Sequence, residues 1–359
     1  MAKYKLGDIC EIVSGSTPKT GVDEYWDGDI KWITPAELND DTYIITDSVR
    51  KITELAVKKT GLSPFPEGTV ILSSRAPIGK VAIAGCEMYC NQGFKNLICS
   101  DKINNRYLYW FLKGNTKYLN SLGRGATFKE ISKSIVSEIE INVPDLNEQV
   151  VAVANLEKIS KIISHRRQEL SALDDLIKAR FVELFGNRGE NPFNYPTTTM
   201  GNVYKFQYGK GNNIPEDKGK YPCYGSNGVV GHHTEYNSED SPIIGHIGAY
   251  AGIVNWGKGK HYVTYNGVIC KLINDQVNPV YGYYLLQIQD YNTVAKSGAA
   301  QPFVSYKDLD APIVNVPPLG LQNQFAAFVE QTDKSKVAVQ KALEETQLLF
   351  DSLMQKYFG

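Results

Sequence analysis

Two short patterns in the chain come nearest to residues that do chemistry, and each lacks a part that its chemistry needs. The run Asn191-Pro192-Phe193-Asn194 is similar to the Asn-Pro-Pro-aromatic motif with which an amino-group methyltransferase holds its target nitrogen, but it has no second proline. The run from Gly245 to Gly252 is glycine-rich like a phosphate-binding loop, but no Lys-Ser or Lys-Thr pair and no helix pattern follows it. We interpret the first run as the segment after a helix end and the second as a place where backbones pack closely.

Side chains that could bind a metal ion gather in the second half of the chain without the spacing of a metal site. They are Cys223, His232, His233, His246, His261 and Cys270. Structural zinc sites need paired ligands at short, regular intervals, which this set does not show. No pair of carboxylates with a lysine at nuclease-like spacing stands out either. The sequence therefore predicts no metal site and no catalytic residue.

The cysteines and the hydropathy pattern bear on where the protein works. The six cysteines form no Cys-x-x-Cys pair, which favours reduced thiols in a cytoplasmic protein. The first residues are not followed by the apolar segment of about ten residues that a signal peptide needs. No apolar run reaches the roughly 18 residues that would span a bilayer. We expect a cytoplasmic protein that does not contact membranes.

The charge balance argues against binding to nucleic acid through phosphates alone. Lysine and arginine total 38, against 39 aspartate and glutamate residues. A protein that binds DNA mainly through its phosphates normally carries a basic excess. If the chain binds DNA, its positive side chains must gather on one face, or a partner must supply much of the contact with the DNA backbone.

An internal repeat relates the two halves of the chain. Residues 144–186 align without gaps with residues 317–359, at an offset of 173 residues. The same offset extends into the preceding residues, where the aligned pairs are Gly79 and Gly252, Asn105 and Asn278, Leu112 and Leu285, Gly125 and Gly298, and Ser132 and Ser305. The chain therefore contains two copies of the same sequence pattern.

Each repeated segment predicts one long helix, because about 35 residues pass without proline or glycine and apolar residues recur every three or four positions. Asp145 and Glu148 predict a capping box at the start of the first helix. Gly186 suits its C-terminal end. At about 1.5 Å per residue, each helix is on the order of 60 Å long.

One face of each predicted helix carries an apolar stripe. The first stripe is Leu156, Ile159, Ile163, Leu170, Leu173, Ile177 and Leu184, and the second is Val329, Thr332, Lys336, Leu343, Thr346, Phe350 and Tyr357. We expect the stripes to pack together as a coiled coil, antiparallel if a pseudo-two-fold axis relates the repeats. Apolar residues off the stripes are candidates for docking partner subunits, namely Val150, Val153, Ile162, Leu176, Phe181, Phe325, Phe328, Leu348, Leu349 and Leu353.

The residues before each helix form a module of short β-like runs punctuated by Gly, Pro, Asn and Asp. The runs are 69–72, 81–84 and 97–99 in the first module and 243–244, 252–255 and 268–272 in the second, with short helices near 105–113 and 279–289. Of the 22 tyrosines, 14 fall in the second module. Tyrosine suits adaptable recognition surfaces, because it contributes area and a hydroxyl at modest entropy cost.

The predicted fold is α+β, with two α/β modules joined and separated by two long antiparallel helices in a pseudo-two-fold internal repeat. The segments are 1–146 for the first module, 147–187 for the central helix, 188–318 for the second module and 319–359 for the C-terminal helix.

Short motifs spread over the whole chain carry a family resemblance. They are Leu6-Gly7-Asp8, Ser14-Gly15-Ser16-Thr17-Pro18, Trp32-Ile33-Thr34-Pro35, Ser74-Arg75-Ala76-Pro77-Ile78-Gly79, Asn91-Gln92-Gly93-Phe94, Gly125-Ala126-Thr127, Leu184-Phe185-Gly186 and Gly298-Ala299-Ala300-Gln301-Pro302. Together they resemble the specificity (S, HsdS) subunits of type I restriction-modification systems. The second module departs from this pattern, because Arg75 aligns with Gly248 and the Trp-Ile-Thr-Pro run has no clear counterpart there.

The resemblance implies that the modules are target recognition domains, which recognise the two halves of a bipartite, asymmetric site in double-stranded DNA. It implies that the helices set the gap between the half-sites and dock two methyltransferase (M) subunits, with restriction (R) subunits added for cleavage. S-adenosylmethionine would bind to the M subunits, and ATP and Mg²⁺ to the R subunits. This chain would carry no cofactor and no catalytic residue.

Polar and basic side chains in glycine-flanked loops are the candidates for DNA contact, because Arg and Lys suit guanine while Asn and Gln suit adenine in the major groove. In the first module they are Ser14, Thr17, Lys19, Lys31, Ser74, Arg75, Lys80, Asn91, Gln92, Lys95, Arg124 and Lys129. In the second module they are Lys210, Asn212, Asn213, Lys218, Tyr224, Ser226, Asn227, His246, Asn266, Lys296 and Gln301.

Two other classes of protein fit parts of this pattern. One is a single-chain restriction or methyltransferase relative with a degenerate active site, which cofactor binding by the isolated chain would favour. The other is a structural or carbohydrate-binding protein with two heads on a coiled-coil stalk, which purification without any methyltransferase would favour. The combined motifs favour the DNA specificity subunit.

Overall fold

A computed structural model describes residues 2–39, 42–125, 129–211, 219–296 and 301–359, with the side chain of Lys296 left out. The chain divides into two compact units. Unit 1 consists of Met1–His165 and Ala342–Gly359, and unit 2 consists of Arg166–Lys341. Each unit therefore combines one module with part of each long helix, whereas the segments predicted above keep the helices apart from the modules.

The elements follow the predicted α+β composition. The helices are α1 (Leu6–Ile9), α2 (Glu54–Thr60), α3 (Asn105–Gly114), α4 (Thr116–Leu122), α5 (Lys133–Ser137), α6 (Leu146–Phe185), α7 (Pro279–Ile288), α8 (Tyr291–Lys296), α9 (Tyr306–Asp310) and α10 (Leu319–Phe358), with 3₁₀ turns at Asp23–Tyr25, Pro35–Glu37 and Met200–Asn202. The strands are β1 (Ala2–Lys5), β2 (Cys10–Ser14), β3 (Trp26–Ile33), β4 (Ile44–Ile45), β5 (Arg50–Ile52), β6 (Val70–Ser73), β7 (Val81–Ala84), β8 (Tyr89–Cys90), β9 (Phe94–Cys99), β10 (Glu140–Val143), β11 (Thr197–Thr199), β12 (Tyr204–Tyr208), β13 (Tyr221–Gly225), β14 (Gly228–His233), β15 (Ser238–Gly245), β16 (Val254–Val263), β17 (Gly267–Leu272) and β18 (Ile313–Asn315).

Unit 1 is built on a sheet with the strand order β2-β9-β6-β7-β4. Both β6 and β7 are buried along their whole length, which explains why their sequences are apolar without alternation. Helix α3 packs on one face of this sheet, and its residues 107–112 are all buried. A smaller sheet, β5-β3-β8, and the antiparallel pair β1-β10 complete the described part of the unit.

Unit 2 is built on a sheet with the strand order β12-β17-β15-β16-β13-β14, beside the antiparallel pair β11-β18. Helix α7 contributes the buried residues Tyr281, Leu285 and Leu286 to its core. The strand predicted at 252–255 begins later, at Val254, because Gly252 lies in a turn with a φ of 84°.

A buried glutamine holds the start of each long helix in the same way, which confirms the repeat at the level of single hydrogen bonds. In unit 1 the side chain of Gln149 accepts from the Asn104 N–H at 2.7 Å and donates to the carbonyls of Lys102 and Pro144 at 3.1 and 2.9 Å. In unit 2 Gln322 accepts from the Asn278 N–H at 2.8 Å. It donates to the carbonyls of Gln276 and Pro317 at 2.9 and 2.6 Å.

The same contacts correct two predicted pairings. Asn278 caps α7 through its side chain, and the residue that caps α3 in the same way is Asn104. Asn278 therefore corresponds to Asn104 and not to Asn105. Because the two helices have equal length, Leu285 likewise corresponds to Phe111 and not to Leu112. The loops before these two helices differ by one residue, which an alignment without gaps cannot show.

Both long helices are confirmed, and they run antiparallel within unit 2. There the Lys336 ammonium lies 2.6 Å from Asp174, and Phe325 packs on Phe181 with ring centroids 5.5 Å apart. In unit 1 the helices meet where the Asn155 side chain donates to the Tyr357 hydroxyl at 3.0 Å. Every residue of the two predicted stripes is buried or half-buried.

The ends of α6 also follow the prediction. The Asp145 carboxylate accepts from the Glu148 N–H at 2.9 Å, as the capping pattern requires on that side. The helix ends at Phe185, and Gly186 follows with a φ of 84°, a left-handed conformation that glycine adopts without steric cost.

Three apolar residues predicted to dock partners are buried inside their own unit. Val153 lies in the core of unit 1, and Phe181 and Phe325 lie in the core of unit 2. Phe181 and Phe325 pack on each other between the two helices and also on Tyr281 and Tyr284 of the module. Val150, Leu176, Leu348 and Leu349 are exposed in the described structure and remain candidates for docking.

Candidate nucleic-acid interface

In unit 1, three strand ends bring many of the predicted DNA-contact residues together. The last residue of β2, Ser14, lies opposite Lys95 near the start of β9. The last residue of β6, Ser73, lies opposite Phe94 on the other side of the same strand. The loops that leave these ends form what we call the unit 1 strand-end surface, which consists of Ser14, Thr17, Ser74, Arg75, Asn91, Gln92, Lys95, Arg124, Lys129 and Glu130.

A cluster of charges lies at the centre of this surface. One carboxylate oxygen of Glu130 accepts from the Arg75 Nε at 3.0 Å, and the other lies 3.4 Å from the Lys95 ammonium. The Lys95 side chain is only 7% exposed and also lies 3.3 Å from the Ser74 hydroxyl. Ser74 and Lys95 are therefore buried beneath the surface, while Arg75 faces solvent.

Close backbone packing keeps the strand ends together. A Cβ on Gly15 would lie 2.0 Å from the Asn91 carbonyl oxygen, so a larger residue would force the two loops apart. The Asn91 side chain accepts from the Gly93 N–H at 2.9 Å, and the Thr17 hydroxyl donates to the Gln92 side chain.

Three predicted lysines of unit 1 are placed differently. The Lys80 ammonium donates to the carbonyls of Pro35 and Leu38 at 3.1 and 2.6 Å. The Lys31 ammonium donates to the Thr46 carbonyl at 2.7 Å in the smaller sheet. Lys19 is exposed, and its carbonyl accepts from the Trp26 indole at 3.3 Å. Lys80 and Lys31 thus have hydrogen-bond partners within the chain.

In unit 2 the equivalent strand ends meet, but aromatic rings occupy the surface. The Tyr208 ring, at the end of β12, stacks on the rings of His246 and Tyr306 with centroids 4.2 and 4.1 Å apart. Tyr265 packs edge-on against His246 at 5.1 Å, and its side chain is 44% exposed. We call Tyr208, His246, Tyr265 and Tyr306, together with Ile247 and Phe303, the unit 2 strand-end surface.

Backbone hydrogen bonds show which residues of the two surfaces correspond. In unit 1 the Ser74 N–H donates to the Gly93 carbonyl at 2.7 Å. At the equivalent position of unit 2 the His246 N–H donates to the Asn266 carbonyl at 2.8 Å. The backbone of Arg75 forms an isolated antiparallel β-bridge with Glu130, and the backbone of Ile247 forms the matching β-bridge with Phe303.

The predicted alignment of Arg75 with Gly248 is therefore wrong by one residue. Arg75 corresponds to Ile247, because the loop between this position and the matched turn glycines Gly79 and Gly252 is one residue longer in unit 2. At the three positions of the charged cluster, unit 2 thus carries Ile247, Val268 and Phe303.

The remaining candidates of unit 2 fall into three groups. Lys210, Asn227 and Gln301 are exposed. The Ser226 hydroxyl, by contrast, donates to the carbonyls of Ile247 and Asn266 at 2.8 and 2.9 Å, which fixes the β13–β14 turn beside the surface. Tyr224 is buried at 9% exposure, with its hydroxyl donating to the Trp256 carbonyl at 3.3 Å. Asn212, Asn213, Lys218 and the side chain of Lys296 lie outside the described residues.

Sequence reasoning missed Glu130 and the tyrosines of the unit 2 surface. Glu130 is acidic and far in sequence from Arg75, so no local pattern connects the two. The concentration of tyrosine in the second module was a usable signal, but it did not distinguish Tyr208, Tyr265 and Tyr306 from core tyrosines such as Tyr281.

One buried group resembles a nucleophile arrangement. The Ser241 hydroxyl lies 3.3 Å from His261 Nε2 and 2.6 Å from the Ser238 hydroxyl, while His261 Nδ1 donates to the Gly259 carbonyl at 2.8 Å. His261 is 0% exposed, so the ring supports the fold and is closed to a substrate. Among the described residues, no cluster of three or more His, Cys, Asp or Glu side chains is arranged to hold a metal ion.

Two segments of the chain match the same known family. The type I restriction modification DNA specificity domain matches residues 1–173 and again residues 198–347. The chain belongs to this family. The two matches coincide with the two copies of the internal repeat, so each copy is one such domain.

Similar proteins carry the same family description. The type I restriction enzyme MjaIX specificity subunit of Methanocaldococcus jannaschii is 42% identical over 186 residues, which cover 51% of this chain and 42% of that protein. The chain thus aligns with less than half the length of this relative. The EcoprrI specificity subunit of Escherichia coli is 25% identical over 359 residues, covering 91% of this chain and 86% of that protein.

Solved structures show the same fold. The S subunit of a type I restriction-modification system from M. genitalium superposes with a TM-score of 0.61 at 17% identity, over 100% of this chain and 96% of that one. A chain from a study of complex assembly and conformational transition of the type I restriction-modification system superposes with a TM-score of 0.62 at 16% identity. The superposition covers 99% of this chain and 97% of that one. In the described part of this family member, no helix is both long enough and apolar enough to cross a membrane.

Proposed function

We propose that the two units of this type I specificity subunit recognise the two different halves of a bipartite DNA site. The supporting observation is that equivalent strand ends meet in both units while their side chains differ. Arg75, Lys95 and Glu130 stand in unit 1 where Ile247, Val268 and Phe303 stand in unit 2. Sequence is recognised through contacts with base edges, so a repeated frame with different side chains suits two different half-sites.

The chemistry of each surface indicates its type of contact. In unit 1 the exposed Arg75 and Gln92 offer donors to base edges, and Arg124 and Lys129 offer positive charge to phosphates. In unit 2, Phe303 is 50% exposed and suits apolar contact with a thymine methyl group. The near-neutral chain then requires its partners to supply much of the remaining phosphate contact.

Matched apolar residues on the long helices support docking of two copies of one partner. Leu176 on α6 and Leu349 on α10 are repeat equivalents, and they are 48% and 52% exposed. Single exposed leucines are common on protein surfaces, but the same exposed leucine once in each unit is a repeated feature. We infer that the helices dock two methyltransferase (M) subunits, which bind S-adenosylmethionine, and that restriction (R) subunits contribute ATP and Mg²⁺. The chain itself supplies no catalytic group, and the complex works in the cytoplasm.

The test is to exchange one half of the recognition machinery. The chain is purified with its methyltransferase subunits, and adenine methylation is measured on a library of DNA sites. Replacing residues 1–146 by those of a relative with different specificity is expected to change one half of the recognised site and leave the other unchanged. A change in both halves or in neither would contradict the proposal. A chain that binds no methyltransferase and shifts no DNA in a sequence-dependent way would instead support a structural or carbohydrate-binding protein.

A further inference from the structure

Glu130 is held by its backbone at the centre of the unit 1 strand-end surface. The Glu130 N–H donates to the Arg124 carbonyl at 2.9 Å, and the Arg124 N–H donates to the Glu130 carbonyl at 3.0 Å. The N–H of the next residue, Ile131, donates to the Ser74 carbonyl at 2.9 Å, and the backbone of Glu130 forms a β-bridge with Arg75. The carboxylate therefore starts from a fixed position between the end of β6 and Arg124.

The two oxygens of this carboxylate have different partners. Oε1 faces the Lys95 ammonium, a buried cation that needs a counter-charge because burial without one is costly. Oε2 accepts from the Nε of Arg75, whose side chain is 44% exposed. Glu130 thus neutralises Lys95 and at the same time fixes the orientation of a second, solvent-facing cation.

The contact through Nε leaves the outer edge of the guanidinium available. Among the described residues, the hydrogen bonds of the Arg75 side chain involve Nε alone. The two terminal nitrogens can then donate side by side, which is the geometry that matches O6 and N7 of guanine in the major groove. A carboxylate beside the guanidinium also repels phosphate, so the arrangement favours a base edge over the DNA backbone.

Unit 2 offers a natural contrast, because its equivalent positions carry no charge. Ile247 replaces Arg75, Phe303 replaces Glu130 and Val268 replaces Lys95. The chemistry of the cluster therefore belongs to one unit, and its effect must be confined to one half of the DNA site.

We propose that Glu130 is a positioning residue for specificity, which holds Arg75 so that its terminal nitrogens recognise a guanine in the half-site bound by unit 1. This inference rests on the proposed function. It specifies which residues of unit 1 recognise a base and that the base is guanine, and it assigns different chemistry to the two half-sites.

The test uses the full chain in complex with its methyltransferase subunits. Binding is measured on the recognised site and on variants in which each G·C pair of either half-site is replaced by A·T, one at a time. For one guanine of the unit 1 half-site, we expect the wild-type complex to lose about 5- to 150-fold in affinity. R75Q should abolish this loss at that position and leave discrimination at the other positions unchanged.

Substitution of Glu130 tests the positioning role itself. E130Q should reduce discrimination at the same guanine while discrimination in the unit 2 half-site stays intact. Because Arg75 is then free to contact phosphate, the plot of log affinity against log salt should steepen by about one. A purely structural role would lower affinity for every sequence and leave the salt dependence unchanged.

Two further variants keep the test decisive. K95M/E130Q removes the buried cation together with its counter-charge, so it separates loss of positioning from loss of stability, and it should match E130Q in specificity. R124Q alters an exposed arginine of the same surface and should weaken binding to all sequences alike. Unchanged discrimination in both Glu130 variants, or equal loss in both half-sites, would overturn the inference. If the wild-type complex binds DNA without sequence preference, the proposed function itself fails.

Discussion

His261 is a buried imidazole that a β-bulge holds inside unit 2. Asp240, with a φ of 38°, forms the bulge, and its carboxylate accepts from the Gly259 N–H at 2.7 Å. The Gly259 carbonyl in turn accepts from His261, whose ring packs so closely on Gly257 that a Cβ there would lie 2.5 Å from it. The ring is thus fixed in orientation, with Nδ1 protonated because the Gly259 carbonyl can only accept.

This arrangement predicts a pH dependence of stability. Burial lowers the pKa of His261 in the folded protein, whereas the unfolded residue titrates near 6.5. Below about pH 6.5 the unfolded state binds more protons, so the free energy of unfolding should fall by up to about 1.4 kcal/mol per pH unit until the folded pKa is reached. Above about pH 6.5 this contribution is complete and constant.

The measurement is urea denaturation between pH 5 and 8. H261N should be less stable than the wild type at pH 7.5 but should lose this part of the pH dependence. H232N, at an exposed histidine, serves as the control and should keep the wild-type profile. An H261N profile parallel to that of the wild type would show that His261 does not cause the dependence.

At the scale of elements, both strand-end surfaces depend on a glycine at the end of an N-terminal strand. Gly15 follows β2, and Gly209 follows β12. A Cβ on Gly209 would lie 2.1 Å from the Thr264 carbonyl oxygen, which matches the contact of Gly15 with Asn91. In both units the neighbouring loop can therefore approach only a residue without a side chain.

We expect G15A to separate the loops of unit 1 and G209A to separate those of unit 2. Overpacking of this kind costs about 1–3 kcal/mol of stability. Each variant should lose discrimination in one half-site only, measured by methylation of a DNA library. G21A is the matched control, because a Cβ on Gly21 meets nothing within 4 Å. Loss of discrimination in G21A, or an effect of G15A on both half-sites, would contradict this account.

At the scale of the whole molecule, the repeat allows the stoichiometry of docking to be tested. If Leu176 and Leu349 each contact one methyltransferase subunit, L176E or L349E alone should leave one subunit bound, and the double variant should leave none. A buried charge without a partner accounts for such a loss. Native mass spectrometry of the purified complex measures the number of subunits directly.

Leu348 provides the control for this experiment. It is 70% exposed, but its repeat equivalent is Asp175, so it is not part of a repeated apolar surface. L348E should keep both methyltransferase subunits. Equal loss in L348E and L349E would show that general apolar exposure, and not the repeated position, decides docking.

Local sequence patterns predicted the two long helices, one short helix in each module and a minority of the strands. Both 40-residue helices, their stripes and the end of α6 at Phe185 follow from apolar periodicity, an acidic cap and a glycine. Short apolar runs within β6, β7, β9, β15 and β17 were visible because much of each run is buried. These features depend on neighbours within a few residues along the chain, which the sequence displays directly.

Tertiary structure alone decided which side chains share a surface and which are enclosed. Glu130 meets Arg75 across 55 residues of chain, and Phe181 and Phe325 turn inward because a module covers them. The pairing of Arg75 with Ile247 required backbone hydrogen bonds, since one inserted loop residue shifts an alignment without gaps. Contacts between distant residues depend on how strand ends and loops come together in space, and local periodicity carries no information about that.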